Sequence, residues 1–188
     1  MALLQHYSLC PLIEQDSFLG LMKDIDDDTA VVTVNANIIG RYKISDPKLL
    51  SSWNCKGRIT SACIYDSSKD RYIAIFNECE LRIWTIADEN VDKVKKYRFA
   101  EKLYKLIICP KTGKVILVFR KGSVFYLDDV LENRKRSLDN QYISSEDKIL
   151  SCDAYVSSDI MVIFVIEDNS ATRRVIGVSI DLKEVIFD

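Results

Sequence analysis

The side chains that could perform catalysis or hold a metal ion are few and widely spaced in this sequence. Only one histidine is present, His6, so a Ser-His-Asp or Cys-His site would have to be built around it. The six cysteines include no Cys-x-x-Cys pair, the spacing that structural zinc sites commonly use. We therefore predict no enzyme activity, no cofactor, no metal site and no small-molecule substrate. We interpret the cysteines as small buried hydrophobic residues; they are Cys10, Cys55, Cys63, Cys79, Cys109 and Cys152.

Two short motifs that could bind ions lack the residues that such sites require. The segment KTGK at 111–114 does not have the Gly-x-x-x-x-Gly-Lys-Ser/Thr pattern of a phosphate-binding loop, and it is predicted to be a hairpin turn. The segment DIDDD at 24–28 could begin a calcium loop. However, Thr29 and Asn35 stand where that loop needs Gly and Glu. This acidic segment is interpreted as a solvated hairpin loop.

Two basic segments are the strongest candidates for a contact surface. In KVKKYRFAEKLYK, at 93–105, basic residues alternate with aromatic ones, a composition that can follow a nucleic-acid backbone and stack bases. The favoured interpretation is an outer strand whose alternating charge resists edge pairing. The candidate RNA or partner contacts are Lys93, Lys95, Lys96, Tyr97, Arg98, Lys102 and Lys105. The segment ENRKRS at 132–137 offers Arg134, Lys135 and Arg136 as a minimal nuclear-import patch or as part of a solvated loop.

Composition excludes several classes of partner. The formal net charge is −2 and 48% of the residues are hydrophobic, which does not indicate a dedicated nucleic-acid or membrane-surface binder. The longest strongly apolar run covers 160–166, far shorter than the roughly 20 residues of a membrane-spanning helix. The first fifteen residues carry no Lys or Arg, and no Asn-x-Ser/Thr site occurs. These features predict an intracellular protein without a membrane partner.

A repeat of short apolar strands gives the fold class. The most apolar strand of each set starts near Val31, Tyr72, Val115 and Ile160, at intervals of 41, 43 and 45 residues. A period of about 40–45 residues with four strands per unit is typical of β-propellers. Only 128–136 and 91–96 have a helix-like composition. The chain is therefore predicted to be all-β, a WD-like β-propeller with about four four-stranded blades.

The repeat also predicts the organisation of the chain. Residues 1–188 form one propeller region, with blades near 18–54, 58–100, 103–136 and 148–188. Residues 3–9 read as a strand that could close a ring. Since related rings usually have more than four blades, we expect the chain to be part of a longer protein or a truncated isoform. An open half-ring exposes strand edges, and we expect it to self-associate.

The segment LRIWTIADEN at 81–90 resembles the end of a WD blade without its signature. Trp84 is followed by Thr85, and the acid arrives only at Asp88. The polar network of well-formed WD blades needs a histidine, which this part of the chain lacks. We therefore predict that apolar packing holds the blade. Trp53 and Trp84 are expected to pack between blades rather than at a partner interface.

Several ordered segments resemble the N-terminal propeller of the nucleolar protein 11 family, over roughly residues 30–135. These segments are GRYKISDPKLLSSW, GRITSACIYDSSKDRYIAIFNECELRIW, NVDKVKKYRF and VILVFRKGSVFYL. The ordered combination of SDPK, SSW, ELRIW and NVDKV is more particular than any one of them. The resemblance implies that members of this family continue into a C-terminal helical region, beyond the part that resembles this sequence.

The resemblance implies a nuclear and nucleolar protein of ribosome biogenesis. It implies membership of the early-assembling subcomplex of the small-subunit processome, supporting ribosomal DNA transcription and pre-18S rRNA processing. The implied partners are processome propeller proteins such as cirhin, with pre-rRNA contacted indirectly, and the family has no catalytic residues to carry over. Two alternatives remain open. One is direct RNA binding through 93–105, and the other is a scaffold of similar fold in vesicle coats or the nuclear pore.

Overall fold

The chain folds into four antiparallel sheets that follow one another in sequence. The computed structural model describes residues 18–23, 29–34, 37–43, 45–46, 48–66, 71–132, 142–156, 158–181 and 185–187. Sheet 1 contains β1 (Phe18–Lys23), β2 (Thr29–Val34), β3 (Ile38–Lys43) and β4 (Lys48–Asn54). Sheet 2 contains β5 (Ile59–Asp66), β6 (Arg71–Phe76), β7 (Glu80–Thr85) and β8 (Lys96–Arg98).

The second half of the chain repeats this arrangement with one difference. Sheet 3 contains β9 (Leu103–Ile108), β10 (Val115–Phe119) and β11 (Val124–Tyr126), and the short helix α1 (Leu127–Leu131) follows directly. Sheet 4 contains β12 (Lys148–Val156), β13 (Ile160–Glu167), β14 (Arg173–Ser179) and β15 (Val185–Phe187). Within the described residues sheet 3 therefore has three strands, where the sequence predicted four. The helix-like segment 91–96 forms turns followed by the first residue of β8.

Each sheet is a simple meander, and the first strands of successive sheets lie side by side. β1 contacts β5, β5 contacts β9, and β9 contacts β12. The first strands are therefore the inner strands of the array, and the fourth strands lie at its outer edge. The second strands have neighbours on both faces, which explains why the sequence of β10, VILVF, is apolar and buried at every position.

Three apolar clusters fill the seams between neighbouring sheets, a seam being the contact where two sheets pack face to face. The seam between sheets 1 and 2 holds Trp53, Tyr72 and Trp84. The seam between sheets 2 and 3 is centred on Ile75, Leu81, Leu117 and Phe119, and α1 adds Leu127 to it. The buried part of the seam between sheets 3 and 4 is mainly aliphatic, with Phe164 and two cysteines, and three partly buried tyrosines pack against it. Side chains of consecutive residues alternate between two seams because they point to opposite faces of a sheet.

The same β-bulge recurs near the start of every inner strand. In β5 the pairs Ile59–Phe76 and Ser61–Ile75 leave Thr60 as an extra residue. The extra residues at the same place in β1, β9 and β12 are Leu19, Tyr104 and Leu150. A bulge bends a strand and increases its local twist. Its recurrence shows that the four sheets are copies of one structural unit.

The tight turns carry residues whose backbone conformation the turns require. Between β6 and β7, Asn77 and Glu78 both have positive φ values, of 49° and 61°. Two consecutive positive φ values match the twist of a tight hairpin, and the turn occupies residues 77–79. Gly122, between β10 and β11, has φ +87°, and a Cβ there would lie 2.9 Å from Cγ1 of Ile143. Among the described residues, no helix has the length and apolar character needed to cross a membrane.

Candidate interaction surface

The structure distributes the basic segment 93–105 over three different places. Lys93 and Lys95 lie in the connection between β7 and β8, and Lys96, Tyr97 and Arg98 form β8 at the outer edge of sheet 2. Lys102 lies in the connection to sheet 3, and Lys105 belongs to β9, an inner strand. The expectation of one outer strand over this segment is therefore wrong. The chain crosses from the outer edge of one sheet to the inner edge of the next within these thirteen residues.

Glu80, the first residue of β7, pairs with two of the six cations of this segment. Glu80 Oε2 lies 3.1 Å from Arg98 Nε, and Glu80 Oε1 lies 3.9 Å from Lys96 Nζ. Burial by itself would raise the pKa of the Glu80 carboxyl. The hydrogen bonds and charges of Arg82, Arg98 and Lys96 outweigh burial, so this pKa lies below its usual value. Glu80 therefore offsets part of the positive charge at the outer edge of sheet 2.

Lys102, Lys105 and Lys95 also make side-chain contacts within the protein. Lys102 Nζ lies 3.0 Å from Glu78 Oε2, and the hydrogen bond from Lys102 is the main reason why the pKa of Glu78 is lowered. Lys105 Nζ donates a hydrogen bond of 2.8 Å to the carbonyl of Cys152, in the inner strand of sheet 4. Lys95 Nζ stands 4.7 Å from the centre of the Tyr97 ring. The contacts of Lys102 and Lys105 use charge that an RNA backbone would need, whereas the exposed Lys95 keeps its charge beside a neutral ring.

A cavity of about 530 Å³ opens beside Lys102, where the connections entering sheets 3 and 4 meet the turn between β10 and β11. Backbone hydrogen bonds hold these segments together, from Arg120 N to the Lys102 carbonyl and from Tyr142 N to the Lys121 carbonyl. Burial raises the pKa of Glu101, whose Oε1 has no hydrogen-bond partner among the described residues. The cavity is lined by Ala100, Glu101, Lys102, Arg120, Lys121, Ser144, Ser145 and Asp147. This mixture of both charges and hydroxyl groups suits a polar protein segment.

A second cavity, of about 420 Å³, brings Lys95 and Tyr97 together with Arg71 and Leu131. Asp88 also lines this groove, but its Oδ2 already accepts hydrogen bonds of 2.7 and 2.9 Å from the backbone amide and hydroxyl of Thr85. We call this cavity the Lys95 groove. It is the part of the predicted contact segment where cations and an aromatic ring line one concave surface.

Arg82 is an organising residue that sequence reasoning missed. Its side chain is only 4% exposed, forms ion pairs with Glu80 and Asp92, and lies 3.9 Å from the centre of the Phe76 ring. Its Nη2 also donates to the Lys56 carbonyl at 2.9 Å, so it reaches the connection between sheets 1 and 2. The alternation of charge in Glu80-Leu81-Arg82 was the only sequence signal for this network. A pattern of that kind usually marks a solvated strand.

The two tryptophans lie in the seam between sheets 1 and 2, which confirms their predicted packing role. Both are buried, and their ring centres are 6.0 Å apart, with Tyr72 within 6 Å of each. The Trp53 indole nitrogen donates to the Asp88 carbonyl at 2.8 Å. Asp88, four residues after Trp84, therefore has two roles. Its side chain shapes the turn after β7, and its backbone carbonyl accepts the hydrogen bond from Trp53. The prediction that apolar packing alone holds this blade is incomplete, because the networks of Arg82 and Asp88 add directional contacts.

The cysteines within the described residues are free thiols, and four of the five are buried. Burial raises the pKa of Cys63 to about 12 and is the main reason why the pKa values of Cys55 and Cys152 rise to about 11. Such thiols are poor nucleophiles at neutral pH. In this part of the chain no group of three His, Cys, Asp or Glu residues could hold a metal ion. The wider expectation of no metal site stays a prediction.

Several sequence predictions lie outside the described residues. They are the import patch Arg134, Lys135 and Arg136, the strand at 3–9 with His6, the acidic loop 24–28, and Cys10. They remain expectations from the sequence.

Comparison with solved structures defines the class of protein. The chain superposes over 93% of its length on 55% of the β-propeller domain of Cps50 (Swd1) from Myceliophteria thermophila, with a TM-score of 0.59 and 9% identity. The hydrazine synthase of Kuenenia stuttgartiensis matches with a TM-score of 0.58 and 9% identity, over 97% of this chain and 52% of that one. At this identity the likeness concerns the fold alone. The chain is a β-propeller segment, as its repeat predicted.

Sequence comparison then gives the family. The pattern described as the nucleolar protein 11 N-terminal domain matches residues 1–181. Nucleolar protein 11 of Gallus gallus is 30% identical over 175 residues, which cover 88% of this chain and 24% of that protein. The Mus musculus relative is 28% identical over 156 residues, or 82% of this chain and 21% of that protein. The chain belongs to the nucleolar protein 11 family, and its predicted nucleolar localisation is confirmed. It spans about a quarter or less of the length of these relatives.

Proposed function

We propose that this propeller segment is a non-catalytic protein-interaction scaffold in nucleolar ribosome biogenesis. In this proposal it acts within the early subcomplex of the small-subunit processome and supports ribosomal DNA transcription and pre-18S rRNA processing. Its partners are other processome propeller proteins such as cirhin. Membership of the nucleolar protein 11 family supports the cellular setting.

The observation that carries the scaffold role is that carboxylates within the protein pair with three of the six cations of the basic segment. Binding to RNA gains much of its free energy when cations of the protein replace counterions on the phosphates. Here Lys96 and Arg98 face Glu80, and Lys102 faces Glu78. A surface that carries both charges and polar cavities suits complementary protein surfaces better than a polyanion.

The experiment that tests this function follows the tagged full-length protein in cells. We expect it to concentrate in nucleoli and to co-purify with processome propeller proteins after nuclease treatment, because protein contacts do not need RNA. A control variant that is unable to reach the nucleus should lose these partners. A full-length protein that remains cytoplasmic, or that loses every processome partner on nuclease treatment, contradicts the proposal.

The Lys95 groove supports direct RNA contact as a second candidate function. It places the exposed Lys95 and the ring of Tyr97 beside Arg71 on one concave surface. Cations and an aromatic ring in such an arrangement can hold a phosphate and stack a base. In this case RNA would contact only the part of segment 93–105 that lines the groove.

Charge reversal distinguishes this second candidate from the first. If RNA occupies the groove, K93E/K95E should weaken binding of a single-stranded RNA and reduce the salt dependence of its affinity. The matched variant K48E/K111E reverses two exposed lysines elsewhere and should bind like the wild type. Equal affinity of both variants, measured by fluorescence anisotropy over a range of salt concentrations, would remove RNA contact at the groove.

A further inference from the structure

Two exposed serines stand directly before two acidic residues where the chain enters sheet 4. This segment reads Ser144-Ser145-Glu146-Asp147, and β12 begins at the next residue. The hydroxyl of Ser144 helps to hold the turn, since its Oγ accepts a hydrogen bond of 3.3 Å from the amide of Glu146. The hydroxyl of Ser145 has no hydrogen-bond partner among the described residues. Ser145 is therefore the serine of this pair whose hydroxyl is available for reaction.

Three cations line the same cavity of about 530 Å³ as these serines. They belong to Lys102, Arg120 and Lys121. Lys102 and Arg120 share a single carboxylate, that of Glu78, at distances of 3.0 and 3.4 Å. Lys121 forms no ion pair with any described residue. The cavity therefore holds positive charge that Glu78 does not offset.

Two carboxylates also line the cavity, and neither removes this positive charge completely. Burial raises the pKa of Glu101, so its carboxyl takes up a proton more readily than an exposed glutamate does. Its Oε1 has no hydrogen-bond partner among the described residues, and a protonated carboxyl could donate a hydrogen bond to an anion. The carboxylate of Asp147 lies 3.5 Å from Nη2 of Arg174, which offsets its charge. This environment suits a bound anion.

Backbone hydrogen bonds hold the serine segment beside the cations. The amides of Tyr142 and Ile143 both donate to the Lys121 carbonyl, at 2.9 and 3.0 Å. The amide of Arg120 donates to the Lys102 carbonyl at 2.8 Å. The segment that enters sheet 4 is thus bonded to the turn between β10 and β11, and that turn is bonded to the connection into sheet 3. The three cations are positioned before any anion arrives.

From this arrangement we propose that Ser145 is a phosphorylation site and that the cavity holds the phosphate. The hydroxyl oxygen of Ser145 attacks the γ-phosphorus of a nucleoside triphosphate, bound to a protein kinase that selects serines followed by acidic residues. The bond between the γ-phosphorus and its bridging oxygen breaks, and the nucleoside diphosphate leaves. The catalytic base of the kinase takes the hydroxyl proton. The phosphate then forms charge-assisted hydrogen bonds with Lys121 and Arg120.

The phosphate links the entry of sheet 4 to the turn between β10 and β11 through side chains as well as backbone. It also replaces the positive charge of the cavity with negative charge. Modification of Ser145 therefore regulates any polar protein segment that uses this cavity. The site goes beyond the proposed scaffold role and does not depend on it.

Kinase treatment followed by mass spectrometry tests the modification. The folded 188-residue chain is incubated with casein kinase II, which selects serines followed by acidic residues, and with ATP and Mg²⁺. We expect phosphate on Ser145, and Ser145→Ala should lose it. The matched control is Ser158→Ala, at an exposed serine that also precedes an acid but does not line the cavity, and it should retain the phosphate on Ser145. A folded chain without phosphate on Ser145, including one modified on Ser144 alone, overturns the proposal.

Phosphoserine installed at position 145 during synthesis tests whether the cavity holds the phosphate. The phosphorylated chain should melt about 2–4 °C above the unmodified chain. Titration followed by ³¹P NMR should place the second pKa of the phosphate below its usual value of about 6, because cations favour the dianion. R120M/K121M should lose both differences, whereas K48M/K111M, at two exposed lysines outside the cavity, should keep them.

Each variant is compared with and without the phosphate, so that any loss of stability caused by the substitution itself cancels. If R120M/K121M does not fold, K121M replaces it. Two outcomes contradict capture by the cavity and overturn the proposal. One is a phosphorylated chain whose melting temperature and phosphate pKa are unshifted. The other is a pair of shifts that R120M/K121M retains as fully as K48M/K111M.

Discussion

The seam between sheets 1 and 2 and the seam between sheets 3 and 4 join similar sheets with different chemistry. The first combines three large aromatic rings with two polar networks, in which Trp53 bonds to the Asp88 carbonyl and Arg82 bonds to the Lys56 carbonyl. The second is an aliphatic layer with single polar contacts at its inner edge, from Lys105 and Tyr104 to the backbone of β12. We therefore expect hydrogen bonds and ion pairs to contribute more to the stability of the first seam than to that of the second.

The inner strands show why the two seams differ. The residue after the bulge of the inner strand is Ser61 in sheet 2 and Lys105 in sheet 3. In sheet 1 the corresponding residue is Gly20. Glycine has no side chain to bond to the next inner strand. The seam between sheets 1 and 2 instead has its polar contacts through Trp53 and Arg82, towards the outer side of the sheets. The hydrogen bonds between sheets therefore lie towards the outer strands in the seam between sheets 1 and 2, and at the inner strands in the seam between sheets 3 and 4.

The largest expected effect comes from removing an aromatic ring from the first seam. Trp84→Ala should lower the free energy of unfolding by about 3–5 kcal/mol, because it deletes a buried ring and leaves a cavity between Trp53 and Tyr72. Trp84→Phe should restore much of this loss. Urea unfolding followed by circular dichroism measures the difference. The exposed Ile108→Ala is the control and should change stability by less than about 0.5 kcal/mol. A loss below about 1 kcal/mol for Trp84→Ala would show that the rings are not the main contact.

The next effect separates the charge network from the apolar packing. Asp92→Ala should cost about 3 kcal/mol, because it leaves the buried guanidinium of Arg82 without one of its carboxylates. The double variant R82M/D92A removes both charges and should recover most of that loss. Asp153→Ala, at an exposed acid of sheet 4, serves as the matched control. If the double variant is as unstable as Asp92→Ala, Asp92 acts through its hydrogen bonds to the Lys56 amide instead.

A smaller effect is expected at the seam between sheets 3 and 4. Lys105→Met keeps the apolar stem of the side chain but leaves the Cys152 carbonyl without the ammonium donor, at a cost of about 1–2 kcal/mol. Lys111→Met, in an exposed turn, should be neutral. Unfolding in urea at two salt concentrations measures both variants. A Lys105→Met protein as stable as the wild type would show that aliphatic packing alone holds this seam.

The smallest effect is a pH dependence specific to the first seam. The folded-state pKa of Glu80 is lowered, so its ionised form stabilises the fold above its unfolded pKa, and this stability is lost as the pH falls through the folded pKa. We expect Glu80→Gln to flatten the loss of stability in acid, measured by urea unfolding between about pH 5 and pH 2. Glu146→Gln, in an exposed turn of sheet 4, is the control. An unchanged pH profile for Glu80→Gln would assign the acid sensitivity to another carboxylate.

The strand repeat could be predicted from the sequence because the second strand of each sheet is buried on both faces. Such a strand is a continuous run of apolar residues in the sequence. Val115–Phe119 and the strand that begins at Ile160 were recognised in this way, and the residues around them followed at a regular period. The fourth strand of sheet 3 was predicted from the period alone, and in the described residues β11 is followed by α1. Apolar residues of a short helix and of a short strand cover a seam equally well, so their pattern does not separate the two.

The contact surface was less predictable than the fold. Composition identified Lys96, Arg98 and Lys102 as candidate contacts, but not that Glu80 and Glu78 pair with them. Glu78 lies in the turn between β6 and β7, and Glu80 begins β7, a different strand from β8. Cross-strand pairing depends on register, which a single sequence leaves open when both faces of a strand are mixed.

By itself, the sequence determined the class of fold, the order of the strands and the family, because apolar periodicity and turn residues act over short distances along the chain. Only the tertiary structure decided which charges cancel and which apolar faces are covered. Arg82 is a buried anchor because Asp92 and the Lys56 carbonyl converge on it from two connections. Val124 is buried because the neighbouring sheet 4 packs against it. Val175 is 47% exposed, although it is the same residue type in the corresponding strand. Such differences arise from contacts between distant parts of the chain, so residue type alone does not fix them.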